Sequence, residues 1–254
     1  MTDSPKPTNE IALSVKNLHK AFGAKVVHKG VSFDVRENEI LGLFGGSGTG
    51  KSVILRSLIG LERPDKGEIL FEGRDLMKLT ERELFEVRTH ISYVFQNGAL
   101  FDSLTVEENL AYPLRAHTKM TDEEIHKKVN ETLELIDMKN TNKLLPDELS
   151  GGMQKRAGFA RSIMLQPKIV LFDEPTAGLD PVNTGRLLQT ILSFKKRGMT
   201  GVFVTHDIPS AFEICDRIAI LNNGIIDKLM TVEEMKRSND PLVKSFTTGA
   251  HIAL

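Results

Sequence analysis

From Ile11 onward apolar and polar residues alternate: Ile11, Leu13 and Val15 fall on one side, and Val31, Phe33 and Val35 repeat the pattern around Ser32 and Asp34. Period-two alternation predicts strands with one buried face, so the first stretch reads as a small antiparallel sheet. Phe22, in Lys20-Ala21-Phe22-Gly23, falls between these strands and on pattern alone is a core aromatic. Ile40-Leu41-Gly42-Leu43-Phe44 is different, an unbroken apolar run between Glu39 and Gly45, and the residues from Val53 to Ile59 continue as a helix. Gly67 to Gly73 encloses another short strand. Two more unbroken runs, Ile169 to Phe172 and Gly201 to Thr205, lead into Asp173-Glu174-Pro175 and into His206-Asp207. Such runs are the mark of parallel strands buried on both faces, delivering polar groups to the ligand-binding edge of a sheet.

Helical signals occupy the middle of the chain. Thr80 with Glu83 and Thr121 with Glu124 have capping-box spacing, and Ile125, Val129, Leu133 and Ile136 recur at helical period as one apolar stripe. Ser150 precedes a further helical stretch that begins with two glycines. The region from about Asn97 to Met164 is therefore expected to be a helical subdomain inserted into an α/β core. After it, Arg217 to Leu221 and Ile225 to Leu229 flank Asn222-Asn223-Gly224, a hairpin signal, and Thr231 with Glu234 caps one more short helix. The expected organisation is a disordered start over residues 1–9, a single domain over 10–247 and a tail over 238–254.

Composition narrows the partners. The 254 residues are 40% hydrophobic, ample for a core, and 33 basic against 34 acidic residues leave no field to recruit nucleic acid or an anionic membrane surface. No apolar run approaches the ~20 residues that cross a bilayer. Met1 to Asn9 is polar, with Pro5 and Pro7, and lacks the apolar core of a signal peptide. A cytoplasmic protein is expected, with any membrane association made through a partner. The single cysteine, Cys215, reads as an ordinary buried thiol.

The candidate chemistry starts at the edge of the first buried run. Gly45-Gly46-Ser47-Gly48-Thr49-Gly50-Lys51-Ser52 matches Gly-x-x-x-x-Gly-Lys-Ser/Thr, between a strand and a helix as that motif requires. Glycines let backbone N–H groups turn inward around a triphosphate, and the helix N-terminus adds partial positive charge. Lys51 reaches the outer phosphates, and the Ser52 hydroxyl ligates Mg²⁺. Asp173 is the second acidic element of such a site and supports the same ion. Glu174, beside the metal but not needed as its ligand, is placed to polarise water, and His206 to contact the outer phosphate. Singly, a histidine after a strand or a glutamate after an aspartate is more often structural; their joint occurrence reverses that reading.

Leu149-Ser150-Gly151-Gly152-Met153 is the most specific element. It resembles the Leu-Ser-Gly-Gly-Gln signature of the ATP-binding cassette superfamily, and the resemblance runs from Ile11 to about Leu229. It implies a phosphate-loop α/β fold with an antiparallel β-subdomain and an inserted helical subdomain, acting as an ATPase with ATP and Mg²⁺. It also implies that Ser150, Gly151 and Gly152 bind ATP held by a second copy of the chain. On the same resemblance Phe22 stacks on adenine and Gln96 senses Mg²⁺ and the partner subunit. Glu174 is the catalytic base, His206 the switch histidine, and Ala177-Gly178-Leu179-Asp180 the D-loop. Met153 departs from the signature glutamine, and Val53, next to the nucleotide, replaces the hydroxyl residue common there.

Chromosome-maintenance ATPases of this superfamily place a long coiled coil between loop and signature, and translation-factor types carry two cassettes. Neither pattern is present, which leaves a transporter subunit with its membrane domain on another chain. The stretch from Phe95 to Arg115, and Asp240 to Phe246, are similar to the MlaF group, ATPases that power phospholipid movement between the inner and outer membranes of Gram-negative bacteria. That likeness implies an MlaE-like permease, an MlaD-like lipid-binding protein with an MCE domain, an MlaB-like STAS-domain protein, and a place on the cytoplasmic face of the inner membrane. Phe95, Leu100, Phe101 and Leu104 line the permease groove or belong to the core. The alternative is an importer ATPase for a small solute such as an amino acid.

Overall fold

The structure is a computed structural model and describes residues 7–247. Of the expected disordered start, residues 1–6 lie outside the described residues, while the Thr8 amide donates to the Glu37 carbonyl at 3.0 Å. The chain opens with β1 (Ile11–Phe22), β2 (Lys25–Arg36), β3 (Ile40–Phe44), α1 (Lys51–Leu58), β4 (Lys66–Phe71) and β5 (Arg74–Asp75). Next come α2 (Glu81–His90), β6 (Ile91–Val94), α3 (Val106–His117), α4 (Asp122–Leu135) and α5 (Gly151–Ile163). Then follow β7 (Ile169–Asp173), α6 (Pro181–Lys195), β8 (Thr200–Val204), α7 (Ile208–Ile214) and β9 (Arg217–Asn222). β10 (Ile225–Thr231), α8 (Val232–Arg237) and α9 (Pro241–Thr247) complete the described chain, and α9 lies in the segment expected as tail. Residues 248–254 of that segment lie outside the described residues.

Two sheets result. The smaller is antiparallel, in the order β2-β1-β4-β5; the larger runs β10-β9-β3-β8-β7-β6 and is parallel except for β10. The unbroken apolar runs are its inner strands. Leu41 and Leu43 of β3 enter the cluster shared with the small sheet and α1, while Ile40 and Phe44 enter the cluster on the opposite face. Leu171 and Phe172 of β7 divide the same way, as do Val202 and Phe203 of β8. A strand buried on both faces has no polar side, which is why its sequence does not alternate.

A third apolar cluster joins α3, α4 and α5, with Ile125, Val129, Leu133 and Ile136 on its inner side. Capping boxes start α2 at Thr80, α3 at Thr105, α4 at Thr121 and α8 at Thr231. Two local expectations need correcting. Phe22 does not lie between the first two strands in the core: it ends β1, pairs with Lys25 across a two-residue turn, and is 46% exposed. The strand enclosed by Gly67 and Gly73 stops at Phe71, because Glu72 (φ 51°) and Gly73 (φ 75°) both take left-handed conformations and turn the chain into β5.

Candidate functional site

The C-terminal ends of β3, β7 and β8 deliver the chemistry to one edge of the large sheet, where open α/β sheets bind ligands. From β3 the chain turns through Gly45 to Gly50 into α1. Gly50 has φ 100°, and a Cβ there would lie 2.4 Å from Val27 Cγ1 and 2.6 Å from His28 Nε2. Only glycine serves. His28, fully buried on β2, supports the turn from beneath through a 3.1 Å bond from Nε2 to the Gly50 carbonyl. Burial is the main cause that lowers its pKa below the ordinary 6.5, with Lys20 adding to it. Thr49 Oγ1 donates to the Gly46 carbonyl at 2.8 Å.

Lys51 is buried, and its ammonium spans the loop, donating to the carbonyls of Gly45 at 2.8 Å and Gly46 at 2.9 Å. Burial lowers its pKa, opposed by the negative charges of Glu174 and Asp173. No acidic residue occupies the first turn of α1, so its N–H groups and dipole face the loop uncompensated, the arrangement that favours a phosphate. Val53 stands further into the helix with its side chain buried.

Ser52 Oγ donates to Asp173 Oδ1 at 2.9 Å, and Tyr93 donates its phenol proton to Asp173 Oδ2 at 2.6 Å. Burial, and then Asp173, push the Tyr93 pKa far up, so the phenol stays a donor. A hydroxyl and a carboxylate that meet in this way are a hard-oxygen set suited to Mg²⁺. That ion takes one or two protein oxygens and completes its shell with phosphates and water. Among the described residues no group of three or more His, Cys, Asp or Glu side chains is arranged to hold a metal by itself. The residues present fit Mg²⁺ brought in with a nucleotide.

Glu174 adopts φ 49°, a left-handed conformation uncommon for a side chain larger than glycine. Its amide donates to the Val204 carbonyl at 2.9 Å, and its Oε1 lies 2.8 Å from His206 Nε2. The unfavourable backbone places the carboxylate beyond the strand end, against the histidine delivered by β8. A cleft of about 1150 Å³ is lined by Phe44 to Thr49, Lys25 to Val27, Thr205, His206 and residues of α9. A second hollow, of about 560 Å³, holds Glu174, Thr176 to Leu179 and the same Thr205 and His206. The phosphate loop and Glu174 thus open on adjoining spaces that share the histidine.

The other candidates lie apart. Gln96 is exposed beyond the end of β6, and Phe22 is at the tip of the β1–β2 turn with Lys20 Nζ 4.8 Å from its ring centre. Ser150 caps α5, accepting from Met153 N at 3.3 Å, and is exposed together with Gly151. Neither of the two hollows includes Ser150, Gly151 or Gly152. Gly152 is pressed on Asn183, whose Oδ1 would be 2.6 Å from an added Cβ. Asp180 caps α6 by accepting from Val182 N at 2.9 Å and Asn183 N at 3.0 Å, and the bonds from Asn183 first of all hold its carboxyl low. Lys155 donates to the Ala177 carbonyl and so ties α5 to the segment that follows Glu174.

The segment after Gln96 is ordered by buried Asn109, which accepts from Phe101 N at 2.8 Å and donates to the carbonyls of Phe101, Leu104 and Thr105. Phe95 and Phe101 are exposed, whereas Leu100 and Leu104 are half-buried, Leu100 against the cluster of α3, α4 and α5. Leu100 also borders a hollow of about 550 Å³ with Asn97, Asp102, Asp147 and Gln154. Cys215 is buried and its thiol pKa is raised by burial, as for an inert core residue. Sequence reasoning missed Tyr93, His28 and Lys155. A hydroxyl within an apolar strand and a histidine within an alternating one were the only signals.

Comparison with known proteins adds the lineage. Residues 28–177 match the family model described as ABC transporter. The chain is 42% identical over 243 residues to the "Probable ribonucleotide transport ATP-binding protein mkl" of Mycobacterium leprae, covering 95% of this chain and 70% of that one. It is 38% identical over 228 residues to the intermembrane phospholipid transport system ATP-binding protein MlaF of Escherichia coli K12, covering 89% and 85%. The cassette MJ0796, solved as a dimer in a post-hydrolysis state with ADP and Pi, superposes with a TM-score of 0.79 at 31% identity, over 87% of this chain and 98% of that one. No helix among the described residues is long and apolar enough to cross a membrane. With the loop, the strand-end carboxylates and the signature helix all in this fold, the chain belongs to the ABC transporter family as an ATP-binding, ATP-hydrolysing subunit.

Proposed function

We propose that two copies of this chain close head to tail around two ATP molecules and that hydrolysis drives an MlaE-like permease moving phospholipid between the membranes of a Gram-negative cell. One observation carries the first half of this reading: the signature face at Ser150 and Gly151 is exposed and separate from the chain's own phosphate loop, which is otherwise assembled. A second copy supplies what each loop lacks. The related MJ0796 cassette forms a dimer with ADP and Pi bound, which supports that arrangement.

In the closed dimer the loop amides and Lys51 bind the phosphates of ATP, and Ser52 and Asp173 hold Mg²⁺. When bound, Mg²⁺ supplies neutralisation of the charge that builds on the phosphate oxygens. Glu174 takes a proton from the attacking water, and His206, 2.8 Å away, holds that carboxylate in place and reaches toward the outer phosphate. Ser150 and Gly151 of the second copy add a helix N-terminus on the far side of the same phosphate. Phe22 offers a face for adenine stacking, and Gln96 links the site to the aromatic segment from Phe95 to Phe101, where the permease docks.

The cargo reading is supported by the MlaF relatives and by the Phe95 to Arg115 stretch. A cassette does not touch its cargo, so a few per cent of identity between relatives does not choose it. The mycobacterial relative, described as a probable ribonucleotide transport protein, favours a second reading, transport of a small solute. Purification of the chain with the permease encoded beside its gene, followed by mass spectrometry of what the complex retains, tests both. Phospholipid with an MCE-domain partner and an MlaB-like STAS protein is the expected result. A periplasmic solute-binding protein and no lipid would reject the phospholipid reading while leaving the ATPase intact. The chain's place is then the cytoplasmic face of the inner membrane.

A further inference from the structure

Both oxygens of the Asp173 carboxylate are engaged. Ser52, on the helix after the phosphate loop, donates to Oδ1 at 2.9 Å, and Tyr93 donates to Oδ2 at 2.6 Å. The second distance is in the range of hydroxyl-to-carboxylate bonds, which are about twice as strong as bonds between neutral groups. Register makes the contact possible: Tyr93 of β6 pairs with Leu171 of β7, so its long side chain reaches the residue two positions further along that strand. The ring is partly buried against the cluster beneath the small sheet and packs on Phe95 with centroids 4.4 Å apart. Phenylalanine would fill that space equally well. The hydroxyl adds one thing, a proton directed at Oδ2.

We propose that Tyr93 is a positioning residue for the divalent-cation half of the site, fixing the Asp173 carboxylate so that one oxygen is turned toward Ser52 and the ion. A carboxylate on a strand end swings about its terminal bond, and a phenol on Oδ2 removes that freedom before the ion arrives. The hydrogen-bond partners of metal-binding side chains act in this way, and their loss lowers metal affinity or activity by roughly 10–100-fold. One phenol on one of two oxygens belongs at the lower end. The proposal rests on the reading that Ser52 and Asp173 hold Mg²⁺ with ATP.

The test compares Y93F with D173N and the unaltered full chain. Affinity for a fluorescent ATP analogue is measured with Mg²⁺ and with EDTA, together with the Mg²⁺ concentration that gives half-maximal ATPase activity and the melting temperature. Y93F is expected to keep its metal-free nucleotide affinity, to lose most of the affinity that Mg²⁺ adds, and to need roughly tenfold more Mg²⁺. D173N is expected to lose the Mg²⁺ effect outright. A D173N chain that still responds to Mg²⁺ like the unaltered one would remove the underlying assignment. If D173N loses the response while Y93F titrates like the unaltered chain, the proposal is overturned. A lower melting temperature in Y93F with an unchanged Mg²⁺ titration overturns it equally, since the hydroxyl would then serve the fold alone.

Discussion

The phosphate-loop edge and the signature end of α5 are built on opposite principles. At the first, each candidate group is fixed from within the chain: Lys51 by two loop carbonyls, Ser52 and Tyr93 on the two oxygens of Asp173, Glu174 by the Val204 carbonyl and by His206. At the second, Ser150 uses its hydroxyl on its own helix, and a Cβ added to Gly151 would meet nothing within 4 Å among the described residues. A preorganised site does its electrostatic work without reorganising when the substrate arrives. An exposed helix start with small residues does none until something is brought to it. On the proposed reading, the chemistry sits in one copy and its trigger in another.

Removing the base should give the largest effect. E174Q keeps the shape of the side chain but cannot accept a proton, so kcat should fall by ~10²–10⁴-fold while ATP affinity persists. The stalled chain should then collect as an ATP-dependent dimer. Steady-state ATPase assays and sedimentation with ATP and Mg²⁺ check both halves. Activity within a few-fold of the unaltered chain would take Glu174 out of the proposed role.

The contrast between the two ends is tested more sharply by G151D. An aspartate there enters open space in the first turn of α5, where negative charge favours the helix, so the fold should not suffer. In the proposed dimer it would meet the phosphate held by the other copy. Loss of activity on the order of 10²-fold is expected, with nucleotide binding by the free chain unchanged. K51A should lose activity for the opposite reason, at its own loop. Mixed together, the two should recover activity that neither has alone, because a pair of the two contains one site built from the intact loop of G151D and the intact signature of K51A. A mixture that stays inactive while forming dimers would argue against a site shared by two chains.

How far the sequence revealed this depends on the reach of each interaction. The buried strands were legible because burial on both faces leaves an unbroken apolar run, and capping boxes marked α2, α4 and α8 because their hydrogen bonds span only three residues. The same local reasoning could have found α6, which opens with Asp180 as cap and Pro181 in the first turn. Contacts between distant parts left no such trace. Arg217 and Glu39 form a two-point ion pair across 178 positions of sequence, and Tyr93 meets Asp173 only because β6 and β7 become neighbours. Phe22 was placed wrongly on pattern alone, since a turn of two residues lets β1 run on to it and leaves it exposed. The loop, Asp173, Glu174 and His206 were visible as residues, and only the fold sets Glu174 against His206.

The smallest effect concerns the support beneath the loop. His28 is buried, its Nδ1 has no hydrogen-bond partner among the described residues, and its pKa lies below the ordinary 6.5, so the folded state favours the neutral ring. The unfolded chain binds that proton more readily. Stability from this residue is therefore complete above pH ~6.5 and is lost as the pH falls through the lowered folded value. Lys20 works in the same direction. The melting temperature should decline as the pH falls below about 6.5, the ordinary histidine value. H28Q, which keeps a donor for the Gly50 carbonyl but does not titrate, should flatten that decline, while nucleotide affinity at pH 7.5 changes little. An equal slope in both proteins would mean that acid acts elsewhere and not on the His28 imidazole.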